Sequence, residues 1–162
     1  MDELDYRGMN TEPIKHATFI VERTYPVDAA RIFRAFSDTD IKRRWFAEGE
    51  DWRVEEFTAD FRPAGYETSR FRYADGPPIT NDTRYLDIVT DERLVFSYVM
   101  TIDGRPSSAS LASVELFPAQ GGTRLVYTEQ GQYFDGGDQA LQREIGCGEL
   151  YDSLGKVLAS AH

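Results

Sequence analysis

The sequence predicts an α+β fold in which one curved antiparallel sheet packs against a long C-terminal helix. Three features of the 162-residue chain support this prediction. Residues 51–132 consist of short segments rich in β-branched and aromatic residues, separated by turn signals. Two short helical stripes precede them, and one long amphipathic stretch follows them. Strands joined by short turns favour an antiparallel meander, and helices grouped apart from the strands are typical of the α+β class.

The amino-terminal part predicts an arm and then a first strand. Residues 1–13 are polar and acidic and show no periodicity, so we expect a flexible arm followed by a single domain over residues 14–162. Residues 16–25 are rich in β-branched and aromatic side chains and predict the first strand. Pro26 ends this strand and suits the start of a helix, because its missing N–H would have no partner there anyway.

Two short helices are predicted next. The first is indicated by apolar residues at helical spacing: Ala29, Ile32, Phe33 and Phe36. Asp38 or Thr39 is a suitable N-cap for a second helix that runs through Trp45. The basic cluster Lys42-Arg43-Arg44 in this helix is interpreted as a solvated face, because basic runs that bind nucleic acid are usually longer.

Six further strands are predicted after Gly49, each bounded by glycine, proline or aspartate turn signals. They cover residues 51–61, 66–73, 80–89, 94–101, 107–117 and 123–132. The turn at Asp91-Glu92 and the turn at Gln120-Gly121-Gly122 each join two of these strands into a hairpin.

The stretch 138–161 predicts the long helix that closes the core, with Asp138 as a candidate N-cap. Residues at steps of three and four predict the face toward the sheet: Leu141, Ile145, Gly148, Tyr151, Leu154 and Leu158. The opposite face, which can stay wet, carries Gln142, Glu149, Asp152 and Lys156. A glycine inside a helix costs roughly 1 kcal/mol relative to alanine. Gly146, Gly148 and Gly155 therefore indicate either close approach to the sheet, or a bend, or a locally weak helix, and we favour the close approach or bend.

The composition excludes several classes of partner. The net charge is −10 and the isoelectric point is near 4.7, so phosphate backbones and anionic membrane surfaces would repel the chain. We therefore expect no nucleic-acid partner. No run approaches the roughly 18–20 apolar residues of a membrane span, and the amino terminus lacks a signal pattern, so we expect no membrane association and a cytoplasmic location.

Few residues could carry metal or nucleophilic chemistry. Cys147 is the only cysteine, which excludes an intramolecular disulfide, and we expect it to be a small core residue. His16 and His162 are the only histidines, so no histidine-based triad or histidine-rich metal site is available. Glycine patterns typical of phosphate-binding loops are also missing. The sequence therefore predicts no catalytic residues, no metal and no cofactor.

Several local motifs resemble those of the Hsp90-ATPase-activator-like family, which belongs to the START-like (SRPBCC) superfamily. The stretch from Pro26 to the pair Trp45-Phe46 is similar to the opening of that family. Residues 60–65 resemble its Asp-x-Arg-x-Gly-Gly motif, with Ala64 in place of the first glycine. Residues 85–96 and 121–131 resemble two of its hairpins. Many members carry Gly-Trp in the last helix, whereas Glu149 follows the glycine here, as in the branch without that tryptophan.

The resemblance extends over residues 18–158 and implies a helix-grip fold, in which the sheet wraps the C-terminal helix and leaves a cavity between them. Family members bind small hydrophobic molecules, some relatives act on polyketides, and the eukaryotic namesake binds a chaperone. Aromatic side chains with a few polar groups are the usual lining of a small-molecule pocket. The predicted cavity residues are Arg23, Trp45, Trp52, Phe57, Phe71, Tyr73, Tyr85, Phe96, Tyr98, Glu115, Tyr127, Ile145, Gly148 and Tyr151.

These features lead to one expected function and two alternatives. We expect an intracellular protein that binds a small hydrophobic or aromatic molecule, with Arg23 paired to Glu115 or Glu129 as a candidate ligand anchor. The first alternative is a cyclase or hydrolase that uses a tyrosine or carboxylate of the same cavity as acid or base. The second is a protein–protein module that regulates a chaperone, which an exposed apolar patch near Phe46 would favour. The sequence leaves homodimerisation open.

Overall fold

A computed structural model describes residues 13–134 and 139–160, in which the chain forms seven strands and three helices. The strands are β1 (Lys15–Tyr25), β2 (Trp52–Ala59), β3 (Tyr66–Tyr73), β4 (Ile79–Val89), β5 (Arg93–Ile102), β6 (Arg105–Ala119) and β7 (Gly122–Tyr133). The helices are α1 (Ala29–Ser37), α2 (Thr39–Phe46) and α3 (Gln139–Ala159). The predicted arm, the N-cap Asp138 and the terminal His162 lie outside the described residues, apart from Pro13.

All seven strands belong to one antiparallel sheet with the order β1-β7-β6-β5-β4-β3-β2. Strands β2 to β7 follow one another as a meander, and β1 pairs with β7 along its whole length, from Lys15 opposite Tyr133 to Tyr25 opposite Thr123. Helices α1 and α2 connect β1 at one edge of the sheet to β2 at the other edge. The predicted α+β fold with a long C-terminal helix is confirmed.

Aspartates begin both small helices. The Asp28 side chain accepts a hydrogen bond from the backbone N–H of Arg31 at 2.9 Å, so α1 begins at Ala29, three residues later than Pro26 alone would suggest. Asp38 caps α2 by accepting from the backbone N–H groups of Asp40 and Ile41. Each cap satisfies donors that would otherwise lack a partner at the first turn of a helix.

The inward face of α3 differs from the predicted one in its first half. Leu141 and Ile145 are 61% and 55% exposed, whereas Tyr151, Leu154 and Leu158 are buried as predicted. The buried face continues from Tyr151 toward the amino terminus through Cys147 and, one turn earlier, the largely buried Arg143. The prediction assumed that the apolar residues face the sheet, but Arg143 occupies the inward position because it pairs with a carboxylate there.

The turn between β2 and β3 contains the substituted glycine of the family motif. Ala64 has a φ angle of 67°, a left-handed conformation that costs a residue with a side chain roughly 1–2 kcal/mol. The next residue, Gly65, has no room for a side chain, because an added Cβ would lie 2.0 Å from the carbonyl oxygen of Asp60. The turn is therefore built for glycine at both positions, and this chain has an alanine at the first.

One hydrophobic core joins the carboxyl-terminal half of α3 to the inner faces of β1, β5, β6 and β7 and to the two small helices. Its fully buried members include Ile32 of α1, Leu125 of β7 and Leu154 of α3. Strands β2, β3 and β4 contribute little to this core. The inner surface of that part of the sheet is consequently left to face a cavity.

Candidate ligand-binding site

A cavity of about 420 Å³ lies between the sheet and the helices α2 and α3. Its floor is formed by inward side chains of β3, β4 and β5, which alternate with outward ones as period-two strands require. Its cover is formed by α2, by the loop that follows α2, and by the middle of α3. The cavity therefore occupies the region that the hydrophobic core leaves unfilled.

Aromatic rings form much of the cavity wall. The Trp45 indole donates a hydrogen bond to the carbonyl oxygen of Ala35 at 2.9 Å, which fixes the ring. Trp45 also packs edge-on against Phe36 and contacts Tyr151, with ring centroids 5.0 and 5.9 Å apart. Trp52 packs against Phe71 at the other end, at a centroid distance of 5.2 Å. Rings held in this way present a rigid apolar surface to a ligand.

The first buried ion pair of the cavity joins α2 to β3. Lys42 Nζ donates to both carboxylate oxygens of Glu67, at 2.7 and 2.8 Å, and Tyr85 donates to the same carboxylate at 2.7 Å. Lys42 is 6% exposed and Glu67 is 1% exposed. The ammonium group also lies over the Phe46 ring, 4.7 Å from its centroid. Lys42 is thus not part of a solvated face, contrary to the interpretation of the basic cluster, because its neighbours neutralise its charge.

The second buried carboxylate, Glu129 of β7, is fully buried and accepts hydrogen bonds from four hydroxyl groups. Tyr98 donates to Oε1 at 2.7 Å, and Tyr127 donates to the same oxygen. Ser110 and Tyr133 donate to Oε2 at 3.0 and 3.2 Å. The accepting capacity of the carboxylate is therefore used by protein hydroxyl groups, and this satisfies its burial requirement.

Arg143 of α3 completes this network. Its Nη1 donates to the Tyr98 hydroxyl at 2.8 Å and lies 3.6 Å from Oε2 of Glu129. Its Nη2 donates to Ser108 at 2.8 Å. The guanidinium carbon lies 5.5 and 5.4 Å from the ring centroids of Tyr98 and Tyr133, within cation–π range. These contacts hold α3 against the sheet, and the Glu129 carboxylate neutralises the charge of Arg143.

Burial keeps the tyrosines of the cavity neutral. Removal from water raises the pKa of Tyr98 well above its ordinary value, and the nearby Glu129 charge raises it further. Burial also raises the pKa of Tyr85, with a second contribution from Glu67. A neutral tyrosine donates its hydroxyl proton, so these residues act as fixed donors and not as bases.

Cys147 lines the cavity as a buried thiol. Burial first, and then the charge of Glu129, raise the pKa of this thiol to about 12. The thiolate is the nucleophilic form of cysteine, so Cys147 is unreactive near neutral pH. This agrees with the expectation of a small core residue.

The mouth of the cavity lies between the loop after α2 and the exposed side of α3. Glu48 and Glu50 stand on the loop side, and Glu149 stands on the helix side. Glu48 pairs with Arg43 at 3.0 Å, whereas Glu50 and Glu149 are exposed to solvent. Gly146 also borders the mouth, and an added Cβ there would meet no atom within 4 Å.

Half of the predicted cavity residues line this cavity. They are Trp45, Trp52, Phe71, Phe96, Tyr98, Tyr127 and Tyr151. They come from α2, α3 and four strands, so the fold brings together residues that are far apart in the sequence. Their contact with a ligand remains a prediction.

Four predicted residues on the strands lie outside the lining. Phe57 packs behind Phe46, and Tyr85 lies behind the cavity wall, where it binds Glu67. Tyr73 is half exposed at the sheet edge. Glu115 lies between the inward Val114 and Leu116, on the outer face opposite Arg93. Alternation along the strand places it outward.

The other three predicted residues border a surface groove between β1 and α3. Arg23 pairs with Asp152 at 2.8 Å, and not with Glu115 or Glu129 as predicted. Arg23 lies on the edge strand next to α3, while Glu129 is already taken by Arg143. Gly148 approaches the Arg23 guanidinium, and Ile145 is exposed beside them. This groove is separate from the cavity.

The sequence did not lead us to the buried charged residues of the cavity lining, Lys42, Glu67 and Arg143. Lys42 lies three residues before the buried Trp45, so helical spacing places both on one face. Arg143 lies four residues before Cys147, which in turn lies four residues before Tyr151. Extending the buried face in steps of four would have found it. Glu67 carries the comparable strand signal, since it lies two residues before the inward Ser69 and therefore on the same face.

Two kinds of site are absent from the described ranges. Among residues 13–134 and 139–160, no group of three or more His, Cys, Asp or Glu side chains is placed to hold a metal ion. In the same ranges no helix is long and apolar enough to cross a membrane.

The chain is similar to several solved structures. The Mll3558 protein of Rhizobium loti is 48% identical, with 90% of this chain and 99% of that chain covered and a TM-score of 0.83. An uncharacterised protein of Rhizobium leguminosarum is 36% identical, with coverage of 91% and 97% and a TM-score of 0.86. An AHSA1-like protein of Aeromonas hydrophila shares the fold at 21% identity, with coverage of 90% and 94% and a TM-score of 0.68. No protein with a curated description matches the sequence.

A family model gives the assignment. The model described as activator of Hsp90 ATPase homolog 1-like protein matches residues 26–159, which is most of the chain. The match confirms the resemblance of the sequence motifs, and the two rhizobial structures extend it over nine-tenths of the chain. The protein therefore belongs to the family of activator of Hsp90 ATPase homolog 1-like proteins, with the helix-grip fold of the START-like superfamily.

Proposed function

We propose that the protein binds a small apolar or aromatic molecule in the cavity between the sheet and α3. The observation that carries this proposal is a cavity of about 420 Å³ walled by aromatic rings, with buried charged groups that are already paired. Ligand pockets usually occupy about 300–1,000 Å³ and combine an apolar lining with a few placed polar groups. A close-packed protein interior has no need for such a space.

The paired charges support binding of an apolar molecule. Lys42 with Glu67, and Arg143 with Glu129, satisfy each other without a ligand. An apolar molecule can therefore enter without breaking a polar contact of the wall. The aromatic rings Trp45, Phe71 and Phe96 supply apolar area, and its burial stabilises a complex by about 25 cal/mol per Å² before the costs of association.

An enzyme of the cyclase or hydrolase kind is the second candidate, because Glu67 at the cavity wall and Glu129 behind it are buried carboxylates. Their environment disfavours it. Four hydroxyl groups donate to Glu129, so it offers no vacant position for a substrate proton. Glu67 is held in an ion pair with Lys42 and also accepts from Tyr85, and both contacts stabilise its charged form. Turnover of a bound compound that disappears in Glu67→Gln would favour the enzyme instead.

The protein–protein alternative depended on an exposed apolar patch near Phe46. Phe46 instead packs against Trp45 and Phe57 and lines the cavity under Lys42. Its ring is therefore partly buried and packs inside the molecule. This favours the ligand-binding proposal.

Native mass spectrometry of protein purified from its own host tests the proposal directly. A co-purifying small molecule, or a thermal shift produced by one chemical class in a panel of aromatic and lipid-like compounds, is the expected result. Gly146 provides matched variants, because its Cβ position is open. Gly146→Trp places a large ring at the mouth and should abolish the shift, while Gly146→Ala should retain it. An empty protein that no compound stabilises would refute the proposal.

A further inference from the structure

We propose that the ligand is an uncharged aromatic molecule that carries a hydrogen-bond acceptor, and that carboxylates, sulfonates and phosphates are rejected. This inference rests on the proposed function and specifies the chemical class that the cavity accepts. It depends on three features of the cavity: its neutralised cations, its acidic mouth, and one amide donor that is open to the cavity.

Each cation of the cavity wall is already neutralised by a buried carboxylate. The Lys42 ammonium group donates to the two carboxylate oxygens of Glu67 and to the Tyr85 hydroxyl. The charge of Arg143 lies 3.6 Å from Glu129, and its Nη1 and Nη2 donate to Tyr98 and Ser108. A ligand carboxylate would have to compete with these buried carboxylates for the same cations. The interior thus carries no net positive charge that could compensate an anion for the loss of its hydration shell.

The mouth adds negative charge on the path inward. Of its three carboxylates, Glu48 is balanced by Arg43, and Glu50 and Glu149 face solvent on opposite sides of the opening. A cleft edged by charge of one sign focuses the electrostatic field and changes the local concentration of charged solutes. Because this field is negative, it disfavours the approach of an anion and leaves a neutral molecule unaffected.

Asn81 is the polar group that remains for a ligand. Its side chain is 9% exposed and lines the cavity from β4. Thr83 donates to its Oδ1 at 3.1 Å, and its Nδ2 makes no hydrogen bond to the described residues. Nδ2 is open to the cavity and not sealed in the protein interior, so a ligand oxygen in the cavity can accept its hydrogen bond. A carbonyl or ether oxygen does this without bringing a charge.

Three probes of nearly equal shape separate charge from hydrogen bonding. They are 2-acetonaphthone, which is neutral with an acceptor, 2-naphthoate, which is anionic, and 2-isopropylnaphthalene, which has no acceptor. Isothermal titration calorimetry with the full chain measures each affinity. We expect 2-acetonaphthone to bind at least about tenfold more tightly than 2-naphthoate, the factor that corresponds to a single modest electrostatic penalty.

Two variants assign the effects to residues. In Asn81→Leu, the affinity ratio of the ketone to the hydrocarbon should fall about tenfold, and this ratio cancels the different solubilities of the probes in water. In Glu50→Gln/Glu149→Gln, the affinity for 2-naphthoate should rise a few-fold at low salt while that for the ketone stays constant, and the difference should shrink as salt is added.

The outcomes distinguish this inference from the proposed function. Binding of 2-naphthoate as tight as that of the ketone would overturn the expected rejection of anions. An unchanged ratio of ketone to hydrocarbon affinity in Asn81→Leu would overturn the role of Asn81. Either result leaves ligand binding in the cavity intact. If none of the three probes binds and Gly146→Trp behaves like Gly146→Ala throughout the compound panel, ligand binding itself is overturned.

Discussion

Glu129→Gln tests whether the buried carboxylate network stabilises the fold. The substitution keeps the shape of the side chain and removes its charge. Oε1 and Oε2 of Glu129 each accept hydrogen bonds from two hydroxyl groups. An amide nitrogen at either position cannot accept, so two of the four hydroxyl groups lose their acceptor. It also leaves the Arg143 guanidinium, whose side chain is only 16% exposed, without an anion nearby.

The expected loss follows from this geometry. Opposite charges at the 3.6 Å between Arg143 Nη1 and Glu129 Oε2 attract by about 5 kcal/mol at an effective dielectric constant of about 20. Rotation of the tyrosine hydroxyls and partial hydration of Arg143 recover some of this. We expect Glu129→Gln to lower the free energy of unfolding by about 3 kcal/mol, in line with other broken buried pairs. For a chain of this length that is a fall in melting temperature of about 6–12 °C.

Urea unfolding followed by circular dichroism measures the change, with Glu22→Gln as the matched control. Glu22 lies on the neighbouring strand and pairs with Arg124 at 3.4 Å, but both side chains are about half exposed. The same substitution there should cost less than about 0.5 kcal/mol. Adding Arg143→Met to each variant completes a double-mutant cycle, in which the coupling to Glu129 should exceed about 1 kcal/mol. A loss from Glu129→Gln no larger than the control's would refute the reasoning.

Three further predictions concern single sites. Cys147 should react with iodoacetamide at pH 8 about a thousandfold more slowly in the folded protein than in urea, because burial raises its pKa from 9.0 to about 12. Between pH 9 and pH 12 only the folded state keeps the thiol proton, so the free energy of unfolding should fall as pH rises above 9. This fall should be less steep in Cys147→Ala. Similar alkylation rates in both states would contradict this. Gly146→Ala should stabilise the protein by up to about 1 kcal/mol, as its Cβ meets open space, whereas Gly155→Ala should gain less, since its Cβ would lie 3.2 Å from the Tyr25 ring. Equal melting temperatures for the two glycine variants would show that space is not the deciding factor. Ala64→Gly should add about 1 kcal/mol by relieving the left-handed backbone at a φ of 67°, and a lower urea midpoint would contradict that strain.

Period-two and helical patterns predicted the fold because its elements alternate regularly between core and solvent. In β5, Leu94, Phe96 and Tyr98 share the inner face as expected, and strands β3, β6 and β7 alternate in the same way. The turn signals placed the hairpins, and Asp38 marked the start of α2. The pairing of β1 with β7 is long-range, so no local pattern in the sequence could specify it.

The cavity was only half predictable because hydrophobic patterns identify its aromatic side chains and miss its charged ones. Lys42 stands next to two arginines that face outward, so the basic cluster is typical of a solvated surface. Arg143 occupies the inward position that the pattern assigned to an apolar residue. What places both side chains inside is a carboxylate on the sheet, Glu67 or Glu129, and these partners lie 25 and 14 residues away in the sequence. Local sequence carries no sign of such a pairing.

The two ion pairs also explain why the cavity stays open. An empty apolar space of this size would favour collapse of the helices onto the sheet, since each buried contact gains dispersion and removes surface from water. Lys42 instead bridges α2 to β3, and Arg143 bridges α3 to β5 and β6, at hydrogen-bond distances. A bridge of fixed length resists both separation and collapse. The groups that hold the walls apart are thus the groups that neutralise the interior. Glu129→Gln should consequently weaken 2-acetonaphthone binding as well as stability, although Glu129 has no hydrogen-bonding capacity left for a ligand.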